Sequence, residues 1–115
     1  MVIAVDFDGT IVTDCYPSIG VPKEEIVQGI KEHQKAGDKI ILWTCRTGAA
    51  LMEAVDYCRW DLGIEFDAIN DNLPEKIAEH NCNSRKVYAD EYWDDKSIPI
   101  LETDNLTYKL RGETR

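Results

Sequence analysis

The 115-residue chain has no apolar run near the ~18 residues that a membrane-spanning helix needs, so no membrane segment is expected. Its four cysteines, at positions 15, 45, 58 and 82, include no C-x-x-C pair and no metal-ligand spacing. That argues for reduced thiols in a cytoplasmic protein over a disulfide framework. Basic residues are outnumbered: 13 Lys and Arg against 22 Asp and Glu leave a formal net charge of -9. Nucleic acid and anionic membranes both require a basic surface, so tight non-specific binding to either is disfavoured. An anionic substrate is not excluded, because a bound divalent cation and a few local cations can reverse the sign inside one pocket. Lys and Arg are absent before the first apolar run and acids follow it, so the opening reads as a strand and not as a signal peptide. No repeat, low-complexity tract or linker divides the chain. A single domain is expected, large enough to bury roughly two-thirds of its unfolded surface.

What is present is organised around Met1-Val2-Ile3-Ala4-Val5-Asp6-Phe7-Asp8-Gly9-Thr10. An uncharged run rich in Val and Ile, without alternation, reads as a strand buried on both faces in a parallel sheet. It stops at Asp6, a second carboxylate follows at Asp8, and Gly9 permits a sharp turn. Residues 11–20 form a loop, Pro22 is expected as the first residue of a helix, and Gly37 with Asp38 ends it. Lys39-Ile40-Ile41-Leu42-Trp43 is a second buried strand ending at Thr44. Leu51, Val55, Cys58 and Leu62 lie on one helical stripe between Thr47 and Gly63. Residues 64–69 read as a third, weaker strand, residues 70–74 as a turn, and a short helix runs on through Glu79. Tyr92 and Trp93 resemble the end of another strand, followed by Asp94 and Asp95. Residues 98–101 are expected as a last strand, and Leu106 with Leu110 permits a helical turn in the tail. Strands alternating with helices imply βαβ units and a parallel sheet.

Three strand ends thus carry polar groups: Asp6 with Asp8, Thr44, and Asp94 with Asp95. Neighbouring strands of one parallel sheet would bring them to the same edge. Two carboxylates about 4 Å apart repel by about 4 kcal/mol at an effective dielectric of about 20. Four in one cleft therefore call for a hard cation, and Mg2+ with carboxylates, phosphate and water is the simplest answer.

Asp6-Phe7-Asp8-Gly9-Thr10 resembles the first motif of the haloacid dehalogenase (HAD) superfamily, D-x-D-G-T, at the end of the first strand. Shorter matches to the other three motifs occur in order at Thr44, Lys86 and Asp94-Asp95. The resemblance spans residues 1 to about 98. It implies a three-layer Rossmann-like α/β domain at 1–102, with a mostly parallel sheet flanked by helices and no substantial cap, followed by a tail at 103–115. It also implies a Mg2+-dependent phosphomonoester hydrolase with an aspartyl-phosphate intermediate. Asp6 would be the nucleophile and Asp8 the general acid and base. Thr44 would hydrogen-bond the phosphoryl group and Lys86 would offset its charge. Asp6, the backbone carbonyl of Asp8, and Asp94 would form the metal site, with Asp95 as a further ligand or just behind it, Asp90 an alternative last acid, and Lys76 and Lys96 alternative lysines. Gly9, Thr10, Arg46 and Thr47 would contact substrate.

Cap domains of that superfamily are inserted after the first motif or between the second and third. Here residues 11–39 and 47–85 leave no room for either, so the site is expected to be open, with the loop of Tyr16, Pro17, Ser18, Ile19 and Gly20 as its cover. Open sites of this kind act on large substrates or gain cover from a second copy, as in a homo-oligomer. A phosphorylated substrate is expected, of a class the residues leave open: a nucleotide, a sugar phosphate, a phosphoprotein or a phosphorylated nucleic-acid end, with the acidic chain counting against the last. Two other readings fit the same motifs: a non-catalytic module that binds a metal or a partner, and a phosphotransferase.

Overall fold

The structure, a computed structural model, describes residues 1–98 and the backbone of Ile100–Leu101 and Lys109–Leu110. Its centre is strand β1 (Val2–Val5), buried along its whole length. It is flanked by parallel partners on both sides. Strand β2 (Lys39–Leu42) pairs with it from Val2↔Lys39 to Val5↔Leu42. Strand β4 (Glu91–Trp93) pairs from Ile3↔Glu91 to Val5↔Trp93. Strand β3 (Ala68–Ile69) adds to the far side of β2, giving an all-parallel sheet of order β3-β2-β1-β4. The architecture is Rossmann-like α/β.

Helix α1 (Glu24–Lys35) starts with two glutamates and ends with His33 and Lys35, charges that suit the helix dipole. Pro22 lies before it and not within it. It forms an antiparallel bridge with Val12. The flanking bonds run from Thr13 N–H to Val21 O and from Lys23 N–H to Ile11 O, so the bridge asks no N–H of the proline. Helix α2 (Gly48–Tyr57) continues into a π-helical turn, Cys58–Leu62, and stops at Gly63 with φ +72°. Helix α3 (Pro74–His80) begins at its proline.

The expected third strand at 64–69 is shortened to two residues. Ile64 is drawn into the core, and the chain meets β2 only from Asp67 onward, where Asp67 N–H reaches Ile40 O and then Asn70 N–H reaches Leu42 O. Strand β5 (Ile100–Leu101) pairs antiparallel with β6 (Lys109–Leu110), away from the main sheet. Leu110 is thus a strand residue, its backbone pairing with Ile100 in place of a helical turn. Residues 99, 102–108 and 111–115 lie outside the described residues, and with them Leu106 and most of the tail.

The two sheet faces are covered unequally. Ile3, Val5, Ile40 and Leu42 pack under Val27 and Ile30 of α1, Ala54 of α2 and Cys58 of the π-helical turn. Val2, Ala4 and Ile41 face a smaller cluster with Leu73 and Val87. Among the described residues α3 buries no side chain, so this second layer depends on the loops at its two ends. No helix of the described residues is long and apolar enough to cross a membrane.

Ile41 is fully buried against the thin layer, whereas Met52 on α2 is 61% exposed. Ile41→Ala is expected to cost about 2–5 kcal/mol of unfolding free energy, and Met52→Ala no more than about 0.5 kcal/mol. Urea denaturation followed by circular dichroism reads both.

Candidate active site

The sheet register determines which side chains meet. Asp6 and Asp94 each stand one residue beyond the paired Val5 and Trp93, and Asp6 N–H extends that ladder by bonding Trp93 O at 2.9 Å. Two carboxylates on adjacent strands therefore leave the sheet side by side. With Asp95 they offer oxygen atoms all within 4.8 Å of one another. On the other flank Trp43 N–H bonds Val5 O at 2.9 Å, bringing Thr44 to the same edge. A cleft of about 450 Å³ is lined by Asp6, Asp8, Thr44 and Asp94, together with Asp14, Tyr16, Cys45, Arg46 and Lys96. A larger hollow of about 700 Å³ opens beyond Asp94 and Asp95, against the start of α1. It lacks Asp6 and Thr44, so the polar strand ends converge on the smaller cleft.

Crowding shows in the protonation of Asp6. Its pKa is pushed from 3.8 up to about 6, chiefly by burial; the Phe7 N–H opposes this and the charges of Asp94, Asp95 and Asp8 add to it. The bond from Phe7 N–H to Asp6 Oδ1 is 2.8 Å. Lys96 Nζ stands 3.4 Å from Asp95 Oδ2 on a side chain that is 73% exposed. Asp95 also lies against Gly9, where an added Cβ would come within 2.2 Å of its carboxylate. Gly9 has φ +89° as well, so position 9 tolerates no side chain on either count. Three hard oxygen donors with one mobile lysine nearby fit a small divalent cation such as Mg2+.

Asp8 is outside that acidic group. Both of its oxygens accept from Arg46, at 2.8 Å from Nε and 2.8 Å from Nη2. Arg46 is 1% exposed. Its remaining donors reach Pro17 O, Ser18 O and Ala50 O, and its charge lies between the rings of Phe7 at 5.0 Å and Tyr16 at 5.1 Å. Thr44 Oγ1 accepts from Arg46 N–H at 3.1 Å, which leaves the hydroxyl proton to donate into the cleft.

Other expected residues stand elsewhere. Lys86 lies over the Tyr92 ring, 5.4 Å from its centroid, and lines a separate hollow with Lys76. Lys96 is the lysine in the cleft. Asp90 lies at the opposite sheet edge, where it accepts Val2 N–H and Tyr88 O–H. Thr47 precedes α2 without capping it and is absent from the cleft wall. Gly9 contributes its carbonyl to Lys23 Nζ at 2.6 Å. Thr10 is buried, its hydroxyl without a partner among the described residues, and it faces the larger hollow.

Asn70 was not among the expected residues, yet its side chain accepts Thr44 N–H at 2.8 Å and fixes that strand end. Its φ of +51° is the left-handed conformation that Asn tolerates. The run Asn70-Asp71-Asn72 signalled the turn without signalling this bond.

No protein-family model matches the chain, and no curated protein matches it. Among solved structures it is similar to a conserved protein from Bacteroides thetaiotaomicron. The two are 45% identical, with a TM-score of 0.75 over 84% of this chain and 77% of that one.

Because folded Asp6 holds its proton up to about pH 6 and the unfolded carboxyl releases it near 3.8, the folded state binds more protons between those values. Stability in EDTA is therefore expected to fall as pH rises from about 4 to about 6. With screening of this half-buried group allowed for, the Asp6 share is on the order of 1 kcal/mol. Urea midpoints across that range are expected to fall less steeply in Asp6→Asn.

Proposed function

The chain belongs to one family with that Bacteroides protein, and from the chemistry of its own cleft we propose a magnesium-dependent phosphomonoester hydrolase that works through an aspartyl-phosphate. The observation that carries this reading is the meeting of Asp6, Asp94 and Asp95 at one sheet edge, with oxygens within 4.8 Å. The resemblance of residues 6–10 to the first haloacid dehalogenase motif supports it, as does the Thr44 hydroxyl with a proton to donate.

In this reading an Asp6 oxygen attacks phosphorus while the bond from phosphorus to the leaving oxygen breaks. Asp8 gives that oxygen its proton, then takes one from the water that cleaves the acyl phosphate and returns Asp6 as a carboxylate. Thr44 donates to a phosphoryl oxygen, and Lys96 offsets negative charge at the cleft mouth. Asp6, Asp94 and Asp95 would hold Mg2+, which supplies charge neutralisation when bound. The substrate is a phosphomonoester, and the free thiols among the described residues suit a cytoplasmic setting.

One observation favours a second reading, a non-catalytic module: both oxygens of Asp8, which must carry the proton, are engaged by Arg46. Hydrolysis of p-nitrophenyl phosphate with magnesium and with EDTA separates the two. The hydrolase reading expects turnover that EDTA removes and that Asp6→Asn lowers by more than about 10³-fold. Asp90→Asn, at the far edge, is expected to keep wild-type turnover. Absence of metal-dependent turnover in the wild type would favour the module.

A further inference from the structure

We propose that Arg46 is a positioning residue for Asp8 and for the loop above it, and that it does not bind the phosphate; this rests on the hydrolase reading. A buried arginine beside two catalytic aspartates invites the opposite assignment, because a guanidinium fork matches a phosphate. The geometry closes that route. Arg46 has five N–H donors, and each has an acceptor: Asp8 Oδ2 and Oδ1, Pro17 O, Ala50 O and Ser18 O. At 1% exposure the side chain, although it lines the cleft, has no unbonded N–H to offer it. The rings of Phe7 and Tyr16, 5.0 and 5.1 Å from its central carbon, leave it little freedom to swing out.

A two-point bond to Asp8 fixes the carboxyl in position and in rotation about its last torsion. Each Asp8 oxygen keeps a second lone pair that the guanidinium does not take, and the proton passed to the leaving oxygen is carried there. The same side chain holds the backbone of the loop at Pro17 and Ser18, so the loop and the acid are aligned by a single group.

The test compares phosphate esters that need the acid to different degrees. Loss of proton donation slows phenyl phosphate, whose phenoxide leaves poorly, more than p-nitrophenyl phosphate, whose leaving group departs without help. Arg46→Lys keeps the charge and loses the fork. It is expected to lower kcat on phenyl phosphate by about tenfold or more and on p-nitrophenyl phosphate by less than about threefold, with KM unchanged for both. Tyr16→Leu alters an exposed ring and removes one wall of the guanidinium slot. It is expected to give the same selectivity in smaller measure, and it carries the test should Arg46→Lys not fold by circular dichroism. Asp8→Asn combined with Arg46→Lys is expected to be no slower on phenyl phosphate than Asp8→Asn alone. A raised KM on both esters with kcat intact would make Arg46 a phosphate ligand. An equal fall in kcat on both would make it merely structural. Either result overturns this proposal alone, whereas a wild type without magnesium-dependent turnover overturns the hydrolase reading with it.

Discussion

Strand β1 is hydrogen-bonded on both sides, and that constraint orders the rest of the molecule. Because β2 and β4 are both parallel to it and in fixed register, the residues just past each strand are delivered to one edge. A slip of one residue on either flank would turn the buried side chains of that flank to the wrong face. The register is closed at the opposite edge by two carboxylates. Asp67, just before β3, takes Ile40 N–H, and Asp90, just before β4, takes Val2 N–H. Acids before a strand thus tie the sheet together, while acids after a strand build the cleft.

The cleft has to manage negative charge in a protein whose net charge is already -9. It does so differently at three of its carboxylates. Asp8 has a buried guanidinium of its own, Asp95 has an exposed lysine at 3.4 Å, and Asp6 is left to burial and one backbone N–H, so that its pKa rises to about 6. A half-buried carboxylate without a cationic partner is one that a bound cation would relieve. That gradient separates Asp6 from Asp8 more clearly than their two-residue spacing does.

Much of the fold was legible because hydrophobic runs bounded by glycine or by acids have few other solutions. The uninterrupted apolar stretch of β1 reported burial directly, whereas of the stripe Leu51, Val55, Cys58 and Leu62 only Cys58 is fully buried and the others are partly so, with Ala54 as the buried residue of α2. The shortening of β3 was not legible, since Ile64 packs in the core as well as it would in a strand. At the site, strand ends were readable but side-chain reach was not. Lys86 and Lys96 flank β4 on its two sides, and in a parallel sheet only a residue after the strand shares the edge of Asp6. The same rule removes Asp90. Arg46 was visible as a charge beside Thr44, but its five acceptors come from three separate segments, a convergence that no local pattern encodes.

The way Arg46 holds the loop bears on how an open cleft acquires selectivity. Three of its acceptors are backbone carbonyls, at Pro17, Ser18 and Ala50. A carbonyl is present whatever the side chain, so the hold on the loop is largely indifferent to loop sequence. Tyr16 is the exception, because its ring lies against the guanidinium. Asp14 lines the cleft without taking part in that hold. The loop is therefore divided into a backbone that takes the Arg46 hydrogen bonds and side chains, Asp14 and Tyr16, that line the cleft. Under the proposed hydrolase reading, that division would let position 14 alter the cleft wall without disturbing the carboxyl of Asp8.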